Sequence, residues 1–93
     1  MNYRVQRSSR FNKAYKRVHQ FQGFKEERFD MIVRILSQGE ALPEQFRDHP
    51  LSGNMIGLRE CHIAPDILLI YEIDNGILTL TLINIGKHAQ LFK

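Results

Sequence analysis

Residues 64–86 read "APDILLIYEIDNGILTLTLINIG", and how this stretch pairs with itself decides the fold. Ile67 to Ile73 is nearly continuous in Leu and Ile, the pattern of a central strand covered on one side by helices and protected on the other. Pro65 has the fixed φ that suits the second position of a turn, so a strand should arrive just before it. "DNG" at residues 74–76 then predicts a tight hairpin, because Asn-Gly accepts the positive φ of a primed turn. "ILTLTLINI" would form the returning strand. Upstream, from Gly57, the period is two: Leu58, Glu60 and His62 fall on one face, and Arg59, Cys61 and Ile63 on the other. Three strands in a meander follow.

Working outward toward the N-terminus, "NYRVQ" alternates apolar Tyr3 and Val5 with polar Arg4 and Gln6, and reads as a first strand. Ser8 or Ser9 can cap a helix over about residues 9–20, where Phe11, Ala14, Tyr15 and Val18 recur at helical spacing. Phe29, Ile32, Val33 and Leu36 repeat that signature up to Gly39, giving a second helix and an antiparallel helical hairpin. "LPEQF" to "PLSGN" reads as a loop, and "GKHAQLFK" as a closing turn or short helix. The expectation is an α+β fold spanning residues 1–93 as one domain. Two N-terminal helices would pack on an antiparallel sheet in the order β-α-α-β-β-β, with the first strand free to join it.

Composition narrows the classes of function. The chain is 43% hydrophobic and 25% charged, the balance of an ordinary globular protein. Its longest apolar run is far below the roughly 18 residues that cross a bilayer, and no apolar leader opens the chain, so a cytoplasmic protein is expected. A lone Cys61 offers neither an internal disulfide nor a zinc-ligand spacing, so no metal and no cofactor are expected. The net charge of +3 is unevenly spread: residues 1–34 carry nine Lys/Arg against three acids, and residues 35–93 carry four against seven. Arg10, Lys13 and Arg17, with Lys16, form a basic stripe on the first helix. Such a stripe suits an anionic polymer or an acidic partner, as well as a simple solvated face.

Three of the four histidines, His49, His62 and His88, lie beside loops in the C-terminal half. Imidazole both takes and gives protons near neutral pH. Each ring also has a plainer use. His49 can order the turn before Pro50, His62 can pair with Glu60, and His88 can be an exposed tail residue, while His19 suits the C-terminus of the first helix. Brought together beside Arg or Lys, without a protein nucleophile, they suit attack of an RNA 2′-OH on its own 3′-phosphate. That reaction needs a base, an acid and cations for the developing charge.

The run "LPEQFRDHPLSGNMIGLRECHIAPDILLIYEI" followed by "IGKHAQLF" resembles the YafQ branch of the RelE-like toxins, over about residues 42–92. The resemblance implies a RelE-like fold and a toxin of a type II toxin-antitoxin system, an endoribonuclease that cuts mRNA on the ribosome and is silenced by a cognate acidic antitoxin. It implies catalytic roles for His49, His62, Asp66 and His88, with Phe92 stacking on a base. His88 is expected to be the general acid, and His49 or His62 the base, with Asp66 orienting it or sharing its role. Under this resemblance the stripe Arg10, Lys13, Lys16 and Arg17 would hold ribosomal RNA. Two departures stand out: Ile67 replaces a Trp common after "PD", and Asn84 replaces a common Arg. Arg59 or Lys87 is the candidate for the missing phosphate cation. A RelE-fold module that binds the ribosome or a partner without cutting is the alternative, and a nuclease acting on free RNA is a third reading.

Overall fold

Ser8 joins the first strand to the first helix and fixes both. Its hydroxyl accepts from Phe11 N at 3.0 Å, the capping bond that starts a helix, and donates to the Ile83 carbonyl at 2.7 Å. The computed structural model describes residues 2–92. In chain order its elements are β1 (Arg4–Arg7), α1 (Ser9–Val18), α2 (Glu26–Ser37), a 3-10 turn (Glu44–Phe46), β2 (His49–Pro50) and a second 3-10 turn (Gly53–Met55). They continue as β3 (Arg59–Ala64), β4 (Ile67–Asp74), β5 (Thr79–Gly86) and α3 (His88–Leu91). The expected α+β class and element order hold. One strand is new, the two-residue β2, which lies with the two 3-10 turns in the segment read as loop.

The five strands form one sheet in the order β1-β5-β4-β3-β2. β3, β4 and β5 are the expected antiparallel meander, and β2 extends it antiparallel to β3. β1 does join the sheet, but parallel to β5, with Val5 opposite Leu80, so the sheet is mixed. A parallel pairing follows from the connection: α1 and α2 lie between β1 and the rest of the sheet, giving the chain room to cross over. The β3–β4 turn is the two residues Pro65–Asp66, as expected.

The β4–β5 turn differs from the Asn-Gly reading. Asp74 pairs with Thr79, leaving a four-residue loop, and Asp74 Oδ1 accepts from Gly76 N at 2.8 Å and Ile77 N at 3.2 Å. The Asp side chain thus stands in for a backbone turn. The positive φ falls on Leu78, at 53°, and not on Gly76.

The helices cover one face of the sheet. Phe11, Ala14 and Val18 of α1 and Phe29, Ile32 and Leu36 of α2 pack with Cys61, Ile63, Ile67, Leu69, Tyr71, Leu80, Leu82 and Ile85. Phe29 stacks on Phe11 at 6.0 Å and meets Tyr15 at 5.0 Å, which ties the helices together. Leu68 and Ile70 are also buried but lie outside this cluster, since alternation turns them to the opposite face. That second face carries the polar residues described below.

Ser8→Ala removes the α1 cap and strands the Ile83 carbonyl at once. It should cost about 2 kcal/mol, read as a lowered urea midpoint with an unchanged slope.

Candidate active site

The sheet register collects the site. His49 pairs with Glu60, Glu60 with Ile70 and Ile70 with Asn84, so these four form one row across four strands. His62, Leu68 and Gly86 form the next row. Directly paired residues point to the same face, which here is the face away from the helices.

Glu60 is the hub of this face. It is only 5% exposed, and its Oε1 lies 3.3 Å from His49 Nε2 and 3.9 Å from His62 Nε2. A carboxylate so withdrawn from water needs polar company, and these two imidazole nitrogens supply it, both within 4 Å. The other nitrogen of His49, Nδ1, donates to the Arg47 carbonyl at 2.7 Å. His49 is thus fixed by its Nδ1 bond, with Nε2 facing Glu60. His62 keeps Nδ1 without a hydrogen-bond partner among the described residues, and the residue borders a groove.

His88 reaches this face by way of Gly86. A Cβ at Gly86, on the Leu68 side of the sheet, would sit 2.8 Å from Gln90 Oε1 and 3.8 Å from Leu91 Cδ2. α3 therefore packs over the same face as His62 and Leu68. Gln90 Oε1 also accepts from Lys87 N at 3.0 Å, which caps the helix that begins at His88. The exposed His88 ring lies 4.8 Å from that of Phe92.

The remaining expected residues fall in three places. Asp66, on the β3–β4 turn, lies 4.0 Å from Lys87 Nζ, and the same ammonium sits 4.9 Å above the Phe21 ring. Asp66 and Lys87 thus form the rim beside His88. Arg59 is placed elsewhere: it pairs across the strands with Tyr71 on the helix-covered face, and its Nε binds Asp48 Oδ1 at 3.2 Å. Arg10, Lys13, Lys16 and Arg17 are all exposed on α1, on the far side of the sheet from the imidazoles. His19 caps α1 at its C-terminal end, with Nδ1 on Tyr15 O at 2.8 Å and Nε2 3.5 Å from Glu26.

Asp48 anchors the loop that presents His49. Its Oδ1 accepts from the buried Tyr71 hydroxyl at 2.5 Å as well as from Arg59. Burial and this carboxylate push the Tyr71 phenol well above its ordinary range, so it stays a donor. Burial likewise pushes up the Cys61 thiol, helped by Asp48 and Glu60, which leaves Cys61 an inert core residue. Tyr71→Phe should cost about 1.5–3 kcal/mol by stranding one side of Asp48, measurable by urea unfolding.

The departures also have a structural form. Ile67 is fully buried in the core and offers no stacking surface. Asn84 turns its Oδ1 to Ile85 N at 2.9 Å. Glu60 was legible only as a neighbour of His62; the bridging role appears when β2 brings His49 alongside. Among the described residues, no group of three or more His, Cys, Asp or Glu is arranged to hold a metal, and no helix is long and apolar enough to cross a membrane.

The match to a family model described as a bacterial toxin of type II toxin-antitoxin systems places the chain in that class. Within that class it belongs to the YafQ family, whose profile matches residues 3–93. It is 34% identical over 62 residues to the mRNA interferase toxin YafQ of Escherichia coli strain K12, an alignment covering 67% of this chain and 65% of that relative. Among solved structures, the E. coli DinJ-YafQ toxin-antitoxin complex aligns over 100% of both chains with a TM-score of 0.87 and 26% identity. A metal-bound toxin from Helicobacter pylori aligns over 99% of this chain and 100% of its own, with a TM-score of 0.88 and 35% identity.

Proposed function

We propose that this protein is the toxin of a type II toxin-antitoxin pair and that it acts in the cytoplasm as a ribosome-dependent endoribonuclease on mRNA. The observation that carries the reading is Glu60 lying within 3.9 Å of both His49 and His62, on the sheet face over which α3, the helix that begins at His88, packs. The reaction needs no protein nucleophile, because RNA brings its own.

The substrate 2′-oxygen attacks the adjacent phosphorus while a base takes its proton. The bond from phosphorus to the 5′-oxygen breaks, and an acid protonates that oxygen. The products are a 2′,3′-cyclic phosphate and a 5′-hydroxyl. We assign the base to His62, whose Nδ1 is unpartnered and which borders a groove, and the acid to the exposed His88. His49, with Nδ1 bonded to the Arg47 carbonyl and Nε2 facing Glu60, is a positioning residue acting through Glu60. Asp66 orients Lys87, and Lys87 is the cation best sited to meet charge on the phosphate once Arg59 is committed to Asp48. Phe92, against His88, supplies a stacking ring for a base.

The stripe Arg10, Lys13, Lys16 and Arg17 would grip ribosomal RNA from the helix side, leaving the imidazole face toward the message. An acidic antitoxin, the partner its class implies, is attracted by the same charge. The relatives support both halves of the reading, one by the name mRNA interferase toxin and one by its complex with DinJ.

The test is primer extension on a message with and without translating ribosomes. New 5′ ends should appear only with ribosomes. Cleavage of naked RNA would favour a free-RNA nuclease. The side chains of Asn84 and Arg59, both turned to intramolecular partners, favour a second reading as a non-cleaving ribosome-binding module. Ribosome binding with no cut message would establish it.

A further inference from the structure

β2 is only two residues long and pairs with Arg59 and Glu60 alone. The outer edge of β3 beyond Cys61 is consequently left without a strand partner. A groove of about 430 Å³ opens there, lined by Arg28 of α2, Gln45, Phe46 and Arg47 of the first 3-10 turn, and His62 to Pro65. His62, assigned above as the base, therefore borders the groove together with two arginines.

Arg28 donates to the Ile63 carbonyl at 3.4 Å, which anchors one nitrogen and leaves the rest of the fork to the groove. Neither Arg28 nor Arg47 has a carboxylate partner among the described residues. By contrast, Arg59 is already neutralised by Asp48. Arg47 sits in the left-handed region at φ 51°, a conformation that costs about 1–2 kcal/mol for a residue with a Cβ. That strained residue links groove to site, since its carbonyl receives His49 Nδ1 and the residue itself borders the groove.

We propose that this groove is the path by which the RNA strand leaves the scissile position, with Arg28 and Arg47 gripping the neighbouring phosphate. The inference rests on the ribonuclease reading and adds its substrate-positioning residues. Two guanidinium forks without carboxylate partners suit a phosphodiester, which guanidinium binds bidentately. A protein helix would need exposed apolar anchors, and Phe46, Ile63 and Ala64 are 4%, 1% and 6% exposed.

The test is single-turnover cleavage of a short synthetic message on ribosomes by the full chain, using Arg28→Ala with Arg47→Gly. Glycine at 47 keeps the left-handed backbone and the carbonyl bond to His49, so only the side chain is lost. The double variant should need about 10- to 100-fold more protein for half-saturation, with a smaller change in the saturating rate. A message carrying a neutral methylphosphonate at the neighbouring linkage should show the same defect with the native protein, and no further defect with the variant. Arg28→Lys with Arg47→Lys should recover part of the loss, whereas a merely misfolded protein would not. Native cleavage with unchanged half-saturation in the variant overturns the groove assignment and leaves the ribonuclease reading standing. Unchanged cleavage with weakened inhibition by an acidic antitoxin overturns it too, and gives the groove to that partner. Absence of native cleavage defeats both readings.

Discussion

His88→Ala is expected to slow message cleavage by about 10²-fold or more, with no loss of ribosome binding. The ring is exposed on α3 and makes contact with Phe92 alone among the aromatic side chains, so its removal takes away little packing. What it takes away is the proton for the departing 5′-oxygen. The measurement is the single-turnover rate at saturating protein beside a binding curve. A variant that cleaves at the native rate would remove His88 from the reaction. A variant that loses binding in proportion would make it a docking residue.

Glu60→Gln should give the next largest effect, a fall of about 10- to 100-fold in the same rate. The amide keeps the shape of the side chain and removes the charge that draws both imidazoles to one oxygen. Because a buried neutral amide is less costly than a buried carboxylate, the melting temperature should change little or rise. That split separates this carboxylate from an ordinary structural ion pair, whose loss would lower stability and leave the rate alone. His49→Asn should reproduce part of the same defect, since His49 acts through Glu60.

Much of the framework was legible because it depends on local pattern. Cys61 and Ile63 alternate into the core as their spacing implied, and Phe11, Ala14 and Val18 place α1 within two residues of its expected end. What escaped the pattern depends on distant segments. The four exposed residues of β1 say nothing about which strand they join or in which direction. The Asn-Gly signal was overridden by one side chain, Asp74, which captured two backbone N–H groups and opened the loop to four residues.

The site divides in the same way. His49, His62 and His88 could be picked out by chemistry and by resemblance, each next to a turn. Glu60 as the bridge between two rings required the β2–β3 register. Strand alternation already set Arg59 on the face opposite His62, but that Asp48 neutralises it there required the fold. Arg28 and Arg47 lie nineteen positions apart on separate elements, and only the short β2, which leaves the edge of β3 open, makes them neighbours of one groove.

Histidine ring resonances followed by NMR during titration with a non-cleavable 2′-O-methyl trinucleotide measure directly whether one stretch of RNA is seen by three imidazoles. Signals of His49, His62 and His88 should move along a single saturation curve, while His19, on the helix side, stays still. Should residue 88 respond with a different affinity from 62, or not at all, the three rings do not share a substrate and the catalytic assignment fails.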